Sequence, residues 1–390
     1  MPASTPLIAA WARSAVVPRG GAFKALQAHE IAAPVVQTLL QRAGLTAAHV
    51  NAVVVGNALG AGGNPARLLS LHAGLPISCA AYTVDTQCCA GLDAVTMGVG
   101  LIASGQAEVV VAGGVEAWSR SPMRMHRPMS AHETPMAYER PAFAPTPEQD
   151  PDMLQSAARY AARTGYTRAE QEAYACEGHR HAVMHQAQVA AEIVEVAGVT
   201  HDSYPRLVDV QRAQRMPVVA RSDACPTDDA NRFALSALTV SAQADGAAFV
   251  LLMAPAAAAR WGVPSPAAYV ASASLGSAPE FPLLAAELAA REALARAGLG
   301  NAQSLHHIEL HDAFAVQGLS FMAGLSLSPE RLNPQGGGLV RGHPIGASGA
   351  VALVRVLSQL AHDGAPGALG LAAVAGAGGL GAAAVVRKAG

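Results

Sequence analysis

Lysine is almost absent from this 390-residue chain: Lys24 and Lys388 are the only ones. An anionic ligand must therefore be held by arginines, helix N-termini or backbone nests. Charge of either sign is sparse, at 14% of residues with a formal net charge of −2, while 51% are hydrophobic. That balance excludes a disordered chain and a basic nucleic-acid surface, so no nucleic acid is expected as a partner. The five cysteines, Cys79, Cys88, Cys89, Cys176 and Cys225, make no disulfide framework, which points to a reducing, cytoplasmic setting. The opening stretch from Met1 to Gly20 lacks a charged segment leading into an apolar core, so it does not read as a signal peptide. One uncharged run, Ala365 to Val386, is long enough to span a membrane. Its glycines, among them Gly367, Gly370, Gly376 and Gly378, suit a tight turn between two buried strands instead, and no membrane is expected as a partner.

What remains is α/β texture. The length exceeds one ordinary hydrophobic core, so two domains or a duplicated one is expected. Apolar residues at helical spacing from Ala28 to Ala43 end at Gly44, a C-cap candidate. The apolar strand Ala52 to Asn57 follows, and a second β-branched strand runs from Glu108 to Gly114. Such alternation predicts a largely parallel sheet covered on both faces. The texture then breaks. Met123, Met125, Met129 and Met136 lie among prolines and arginines, as in an irregular segment covering a ligand. Met153 to His185 reads as helical, with Thr167 and Glu170 as a capping box. His181, His185 and Cys176 share that stretch, but nothing completes a ligand set, and no metal is expected. Arg206, Arg212, Arg215, Arg221 and Arg232 are either surface arginines or a rim for phosphates. A strand at Ala247 to Met253 restores the pattern, and a Pro- and Ala-rich junction from Ala254 to Pro266 opens a second half.

That second half repeats the first. Arg42-Ala43-Gly44-Leu45 precedes a strand ending at Asn57; Arg296-Ala297-Gly298-Leu299 precedes a strand ending at His311-Asp312. The same interval added to Cys88 lands beside His343, and both residues stand where a helix begins (Ala347 to Leu360 in the second case). A duplicated unit packed about a pseudo-twofold would bring the two helix starts face to face. A cysteine in the first turn of a helix meets free N–H groups and the positive end of the macrodipole, which lower a thiol's pKa. Glycine-rich turns at Gly336 to Gly338 and Gly376 to Gly381 let backbone N–H groups approach a ligand, and His311 ends a strand in the same half. The set suits acyl transfer, in which a thiolate attacks a thioester and oriented donors hold the oxyanion.

The blocks GNPAR (Gly63 to Arg67), CCAGL (Cys88 to Leu92), AGGVEAWSRSP (Ala112 to Pro122), DGAA (Asp245 to Ala248), HDAFA (His311 to Ala315), GGGLVRGHPIGASG (Gly336 to Gly349) and GAGGLG (Gly376 to Gly381) occur in that order. In these the chain resembles the thiolase superfamily of coenzyme A-dependent acyltransferases, essentially end to end. The resemblance implies an α/β thiolase fold, a duplicated five-layered αβαβα arrangement with an inserted loop domain. Its N-terminal half would be residues 1–117, completed by about 240–258; residues 118–239 would form the loop domain over coenzyme A, and 259–390 the C-terminal half. It also implies Cys88 as the acylated nucleophile, His343 as its base, and the backbone N–H groups of Cys88 and Ala377 as oxyanion hole. Ser241 matches a residue contacting pantetheine and Met153 one lining the acyl pocket; Arg215 and Arg221 are candidates for the coenzyme A phosphates. Coenzyme A or acyl-CoA is expected as substrate, with no covalently bound cofactor, in fatty-acid metabolism. A homodimer or homotetramer is expected, with room for a partner subunit. Cys89 reads as packing.

The departures are specific. Thiolases that make or break a carbon–carbon bond use a second cysteine, either just before the C-terminal glycines or, in the lineage linked to sterol-carrier proteins, as the third residue of the HDAF-like motif. Here these positions are Ala375 and Ala313, and no cysteine follows Cys225. A positioned acid/base is worth roughly 10² to 10⁴ in rate. His311 replaces an asparagine common in the family, so Cys88, His311 and His343 make a Cys–His–His set resembling decarboxylating ketosynthases. The first expectation is an acyl-CoA C-acyltransferase of thiolase type. The alternatives are decarboxylative or non-carbon acyl transfer, and a non-catalytic subunit that binds CoA esters.

Overall fold

The computed structural model describes residues 5–223 and 231–390; Cys225 lies outside the described residues. Strand β1 (Leu7–Ser14) leads into helix α1 (Ala28–Ala43). Helix α1 starts with a Gln27/Glu30 capping box and stops at Gly44, whose φ of 66° is left-handed, as the sequence predicts. Its buried stripe of Ile31, Val35, Val36 and Leu39 packs on the first sheet. Strands β2 (Ala52–Gly56) and β3 (Ala80–Val84) follow, then helix α2 (Ala90–Ala103) and strand β4 (Val109–Ala117). After the insertion, β5 (Ala244–Met253) closes the first half.

The second half repeats this order. Strand β6 (Ala267–Gly276), strand β7 (Leu305–His311), strand β8 (Leu369–Gly376) and strand β9 (Leu380–Lys388) form the path β7-β8-β9-β6, matching β2-β4-β5-β1 in the first half. Corresponding pairs share their sense: β2 with β4 and β7 with β8 are parallel, while β4 with β5 and β8 with β9 are antiparallel. Even β3 has a trace of a counterpart, the parallel bridge from Ile308 to Leu332. The halves meet where β1 pairs with β6 through Leu7–Ala268 and Ile8–Ala267, so both belong to one 11-stranded sheet.

The expectation of a largely parallel sheet is corrected. Each half returns its last strand antiparallel, β9 directly through the Ala377–Gly379 turn and β5 after the insertion, so the sheet is mixed. The uncharged run from Ala365 to Val386 is the β8–β9 hairpin, buried through most of its length.

Layering follows from burial. Helix α1 covers one outer face; α2 and helix α7 (Ser348–Asp363) fill the space between the two halves, and helix α5 (Ala285–Arg296), with helix α6 (Ala315–Leu325) against it, covers the other outer face. This is the five-layered αβαβα arrangement. Among the described residues, one apolar segment, Ile345–Asp363, has the length to cross a membrane, and 78% of it is buried inside the protein. A largely apolar helix belongs in such a central layer.

The insertion between β4 and β5 has its own elements. The stretch read as one helix from Met153 to His185 is two, α3 (Met153–Thr164) and α4 (Arg168–Met184). They are broken at Gly165, whose φ is 81°, and α4 restarts on the expected Thr167/Glu170 capping box. A small hairpin, Arg124–His126 with Met136–Tyr138, carries the methionines, and Met123, Met129 and Met136 stand largely exposed.

Candidate active site

The chain enters the site at the end of β3. Asp85 accepts the backbone N–H of Gln87 at 3.0 Å and also its side-chain amide at 3.0 Å. This local turn holds Gln87 at a φ of 56°, a left-handed conformation unusual for a residue with a Cβ. Backbone held in such a region clusters at functional positions, and here it throws Cys88 out of the strand direction. Residues Gln87–Cys89 form a 3₁₀ turn that feeds α2 at Ala90. Asp93, one turn into α2, accepts the Thr86 hydroxyl at 2.6 Å and that of Ser274 on β6, tying the turn to both halves.

Opposite stands the Gly342–Ala347 turn, which feeds α7. Cys88 Sγ lies 3.0 Å from His343 Nε2, across 255 positions of sequence. The other ring nitrogen of His343, Nδ1, is hydrogen-bonded to Nε2 of His311 at the end of β7, the ring centroids standing 4.5 Å apart. Ser348 Oγ is 3.4 Å from the same Nδ1. The backbone N–H groups of Ala377 and of Cys88 itself both face the Cys88 sulfur. The structure thus brings together Cys88, His343, His311 and both expected oxyanion donors.

The charge state differs from expectation. The helix start was expected to lower the Cys88 thiol; instead burial pushes it up to about 12, with the Ala377 and Cys88 amides pulling the other way and Glu116 and Asp85 adding to the rise. Burial alone pushes His343 down to about 4. His311 lies well below its usual value, through burial and then the neighbouring His343 and Arg341. The resting pair is therefore a neutral thiol beside a neutral imidazole. With Nε2 free to accept the thiol proton, the proton of His343 sits on Nδ1 and is donated to His311.

Cys89 is buried, its Sγ 3.7 Å from the Val374 carbonyl, and burial raises its thiol well above the ordinary value; it packs. Ala375 belongs to the core between β8 and α5, and Ala313 packs beside Phe314. The Ser241 hydroxyl donates to the Gly338 carbonyl at 2.7 Å, and its N–H to the Ala313 carbonyl at 2.8 Å, so it braces the HDAF and GGGLVR segments. Met153 opens α3, partly buried against the cluster around Leu235 and Phe314. Arg215 and Arg221 are exposed in the insertion, and Arg221 Nε donates to Asn231 at 2.9 Å.

Sequence reasoning missed Glu116. Its buried carboxylate accepts the Asn57 side-chain amide at 2.9 Å, the Ala58 N–H at 3.0 Å, the Leu59 N–H at 3.3 Å and the Gly346 N–H at 3.0 Å. It therefore binds the end of β2 to the turn that carries His343. Burial still pushes its carboxyl up to about 7, against these donors. Asp312 was seen only as part of a motif; it accepts the Tyr174 hydroxyl of α4 at 2.7 Å and the Leu339 N–H at 2.9 Å, fixing the insertion to the segment before His343. A carboxylate inside an apolar strand, as in VVVAGGVEA, was the available signal for Glu116.

Two family matches cover the chain: "Thiolase, N-terminal domain" over residues 7–256 and "Thiolase, C-terminal domain" over residues 264–388. VraB of Staphylococcus aureus (strain MRSA252), named provisionally as an acetyl-CoA C-acetyltransferase, is 32% identical over 383 residues, covering 94% of this chain and 98% of that protein. An acetyl-CoA acetyltransferase of Pseudomonas aeruginosa is 33% identical over 374 residues, covering 91% and 92%. The Acat5 thiolase of Ascaris suum, solved in complex with coenzyme A, superposes with a TM-score of 0.88 at 26% identity, covering 98% of this chain and 100% of that one.

Proposed function

The chain belongs to the thiolase family, a class of acyltransferases, and on that premise we propose that it moves acyl groups from coenzyme A thioesters through an S-acyl intermediate on Cys88. The observation that carries the reading is the Cys88 Sγ to His343 Nε2 contact of 3.0 Å, with His343 held from behind by His311. As Cys88 attacks the thioester carbonyl, its proton passes to His343 Nε2. The new S–C bond leaves an oxyanion for the Cys88 and Ala377 N–H groups. Collapse expels coenzyme A as thiolate, which takes the proton back from His343. Buried, neutral His311 accepts from the Nδ1–H of the transient imidazolium, a weaker partner than a carboxylate.

In this reading residues 118–239 cover the coenzyme A, Ser241 and Met153 contact its pantetheine and acyl portions, and Arg215 and Arg221 meet its phosphates. Near-absence of lysine supports that role for arginine and backbone donors. The reaction after acylation is atypical, because alanine stands at 375 and 313 where the family's second cysteine is found. One reading keeps carbon–carbon chemistry, with water held by His311 or His343 moving the second proton. The Cys–His–His set favours another, in which the acceptor carbanion arises by loss of CO₂ and no proton need be removed. A homodimer, or a dimer of such dimers, is supported by β3, one edge of which pairs with no other strand among the described residues, with Tyr82 42% exposed.

Steady-state assays separate these readings. Thiolysis of acetoacetyl-CoA by added coenzyme A, at rates abolished in His343→Ala, supports the first. Condensation from malonyl-CoA but not from acetyl-CoA supports the second, and turnover from neither removes both.

A further inference from the structure

We propose that His306, His307 and Asp363, on the face remote from Cys88, form a binding site for a divalent transition-metal cation of the zinc type. The site begins with an irregularity in β7. Its pairing with β8 shifts between Leu305 and His307, so His306 is an extra residue in the ladder. Consecutive residues of a regular strand point to opposite faces, and a bulge re-aims one of them. Here both imidazoles turn to one oxygen at the end of α7. His307 Nε2 lies 2.6 Å and His306 Nε2 3.5 Å from Asp363 Oδ1. The rings stand edge to face with centroids 4.6 Å apart.

A ligand atom from each residue lies within 4.8 Å of the others, and among the described residues no other group of three histidines, cysteines or carboxylates is so arranged. Zinc bonds of about 2.0–2.2 Å in a tetrahedral set put ligand atoms about 3.4 Å apart. The His306–Asp363 separation of 3.5 Å already matches. His307 and Asp363 need only exchange their hydrogen bond for bonds to the cation, and Asp363, 50% exposed, is free to move. His306 is 45% exposed, so a cation enters directly from solvent. Two imidazole nitrogens and one carboxylate suit Zn²⁺, Ni²⁺ or Cu²⁺ rather than Mg²⁺ or Ca²⁺, which prefer oxygen. Three protein ligands leave the fourth position to water or an outside ligand. A bound cation would clamp the start of β7 to the end of α7, the elements whose opposite ends carry His311 and adjoin the His343 turn.

The test is titration of the chelator-stripped full chain, free of any histidine tag, with CoCl₂ followed by absorption, and with ZnCl₂ by calorimetry. The expected result is one cation per chain, with Co²⁺ d–d bands and no sulfur-to-cobalt charge-transfer band. The site should persist in Cys88→Ala, disappear in His306→Ala and weaken at least tenfold in Asp363→Asn. Both of the latter changes lie at exposed side chains and leave the fold intact. No binding below millimolar cation, a stoichiometry unchanged in His306→Ala, or loss of the site in Cys88→Ala would overturn the proposal.

Discussion

At the level of single side chains, the protonation state of the Cys88–His343 pair sets how the site works. His343 is pushed down from 6.5 to about 4, so its imidazole is neutral, and able to accept a proton, above that value and loses this ability as pH falls through it. The thiol keeps its proton to about 12. Single-turnover acylation should therefore be flat across neutral pH, with an acid limb close to 4. An acid limb near 6.5 would mean that burial does not depress His343 in the working site. Removing the base is expected to cost roughly 10² to 10⁴ in acylation rate, read as adduct formation over time in His343→Ala. The carbon chemistry depends on position 375. Ala375→Cys should raise acetoacetyl-CoA thiolysis, within the same range of roughly 10² to 10⁴, if the missing thiol limits turnover; no gain would place the limit elsewhere. The turn carrying Cys88 was legible from two cysteines at a strand-to-helix junction, but the direction of the thiol's pKa was not. A helix start is visible in sequence, whereas the burial that outweighs it depends on strands and turns contributed from the other half.

At the level of packed segments, the His343 turn is held by contacts that no local pattern encodes. Glu116 reaches it through the Gly346 N–H, and Gly114 lies so close that a Cβ there would collide with the Gly346 carbonyl. Gly114→Ala should thus displace the turn and cut the acylation rate while far-ultraviolet circular dichroism stays unchanged. Unchanged acylation would show that the turn is positioned independently of β4. In Glu116→Gln either amide orientation turns an NH₂ toward backbone or Asn57 donors. The expected loss is about 1–3 kcal/mol of stability for each buried donor left without an acceptor, measured by urea unfolding. The Thr167/Glu170 capping box, the Gly44 stop and the β8–β9 turn were all legible, because each is decided within a few residues. The break at Gly165 was read through because apolar spacing continues across it, although the Thr167/Glu170 box already marked a restart. Not legible was the left-handed Gln87, which only the Asp85 turn and the packing beneath it explain.

Across the assembled chain, buried ion pairs join the insertion to both halves. Arg13 of β1 meets Glu192 at 2.6 Å and Asp202 at 2.7 Å, and Arg355 of α7 meets the other oxygen of Glu192 at 2.6 Å. Burial works against the Glu192 charge, but Arg355 and Arg13 outweigh it and hold the carboxyl below its ordinary value. Asp202 is likewise depressed, Arg13 overcoming its burial. Groups with depressed folded pKa values stabilise above the unfolded value and lose that contribution as pH falls through the folded one. The protein should therefore lose stability below about pH 4. Glu192→Gln should cost about 3–5 kcal/mol at neutral pH, because buried Arg355 loses its carboxylate partner while Arg13 keeps only Asp202. A urea midpoint unchanged from the parent would show that the network is neutral in energy. The duplication was legible from short repeated blocks around Arg42 and Arg296, and it alone implies that Cys88 stands opposite His343. The mixed sense of the sheet was not, because apolar strands in parallel and antiparallel pairs read alike when both faces are buried.

The decisive observation is the intact mass of the protein after incubation with a series of acyl-CoAs, beside Cys88→Ala. A mass increase of one acyl group is expected in the parent and none in the variant. No adduct from any donor, with coenzyme A ester binding still measurable, would contradict acylation at Cys88 and leave a thiolase-like subunit that binds these esters without turning them over.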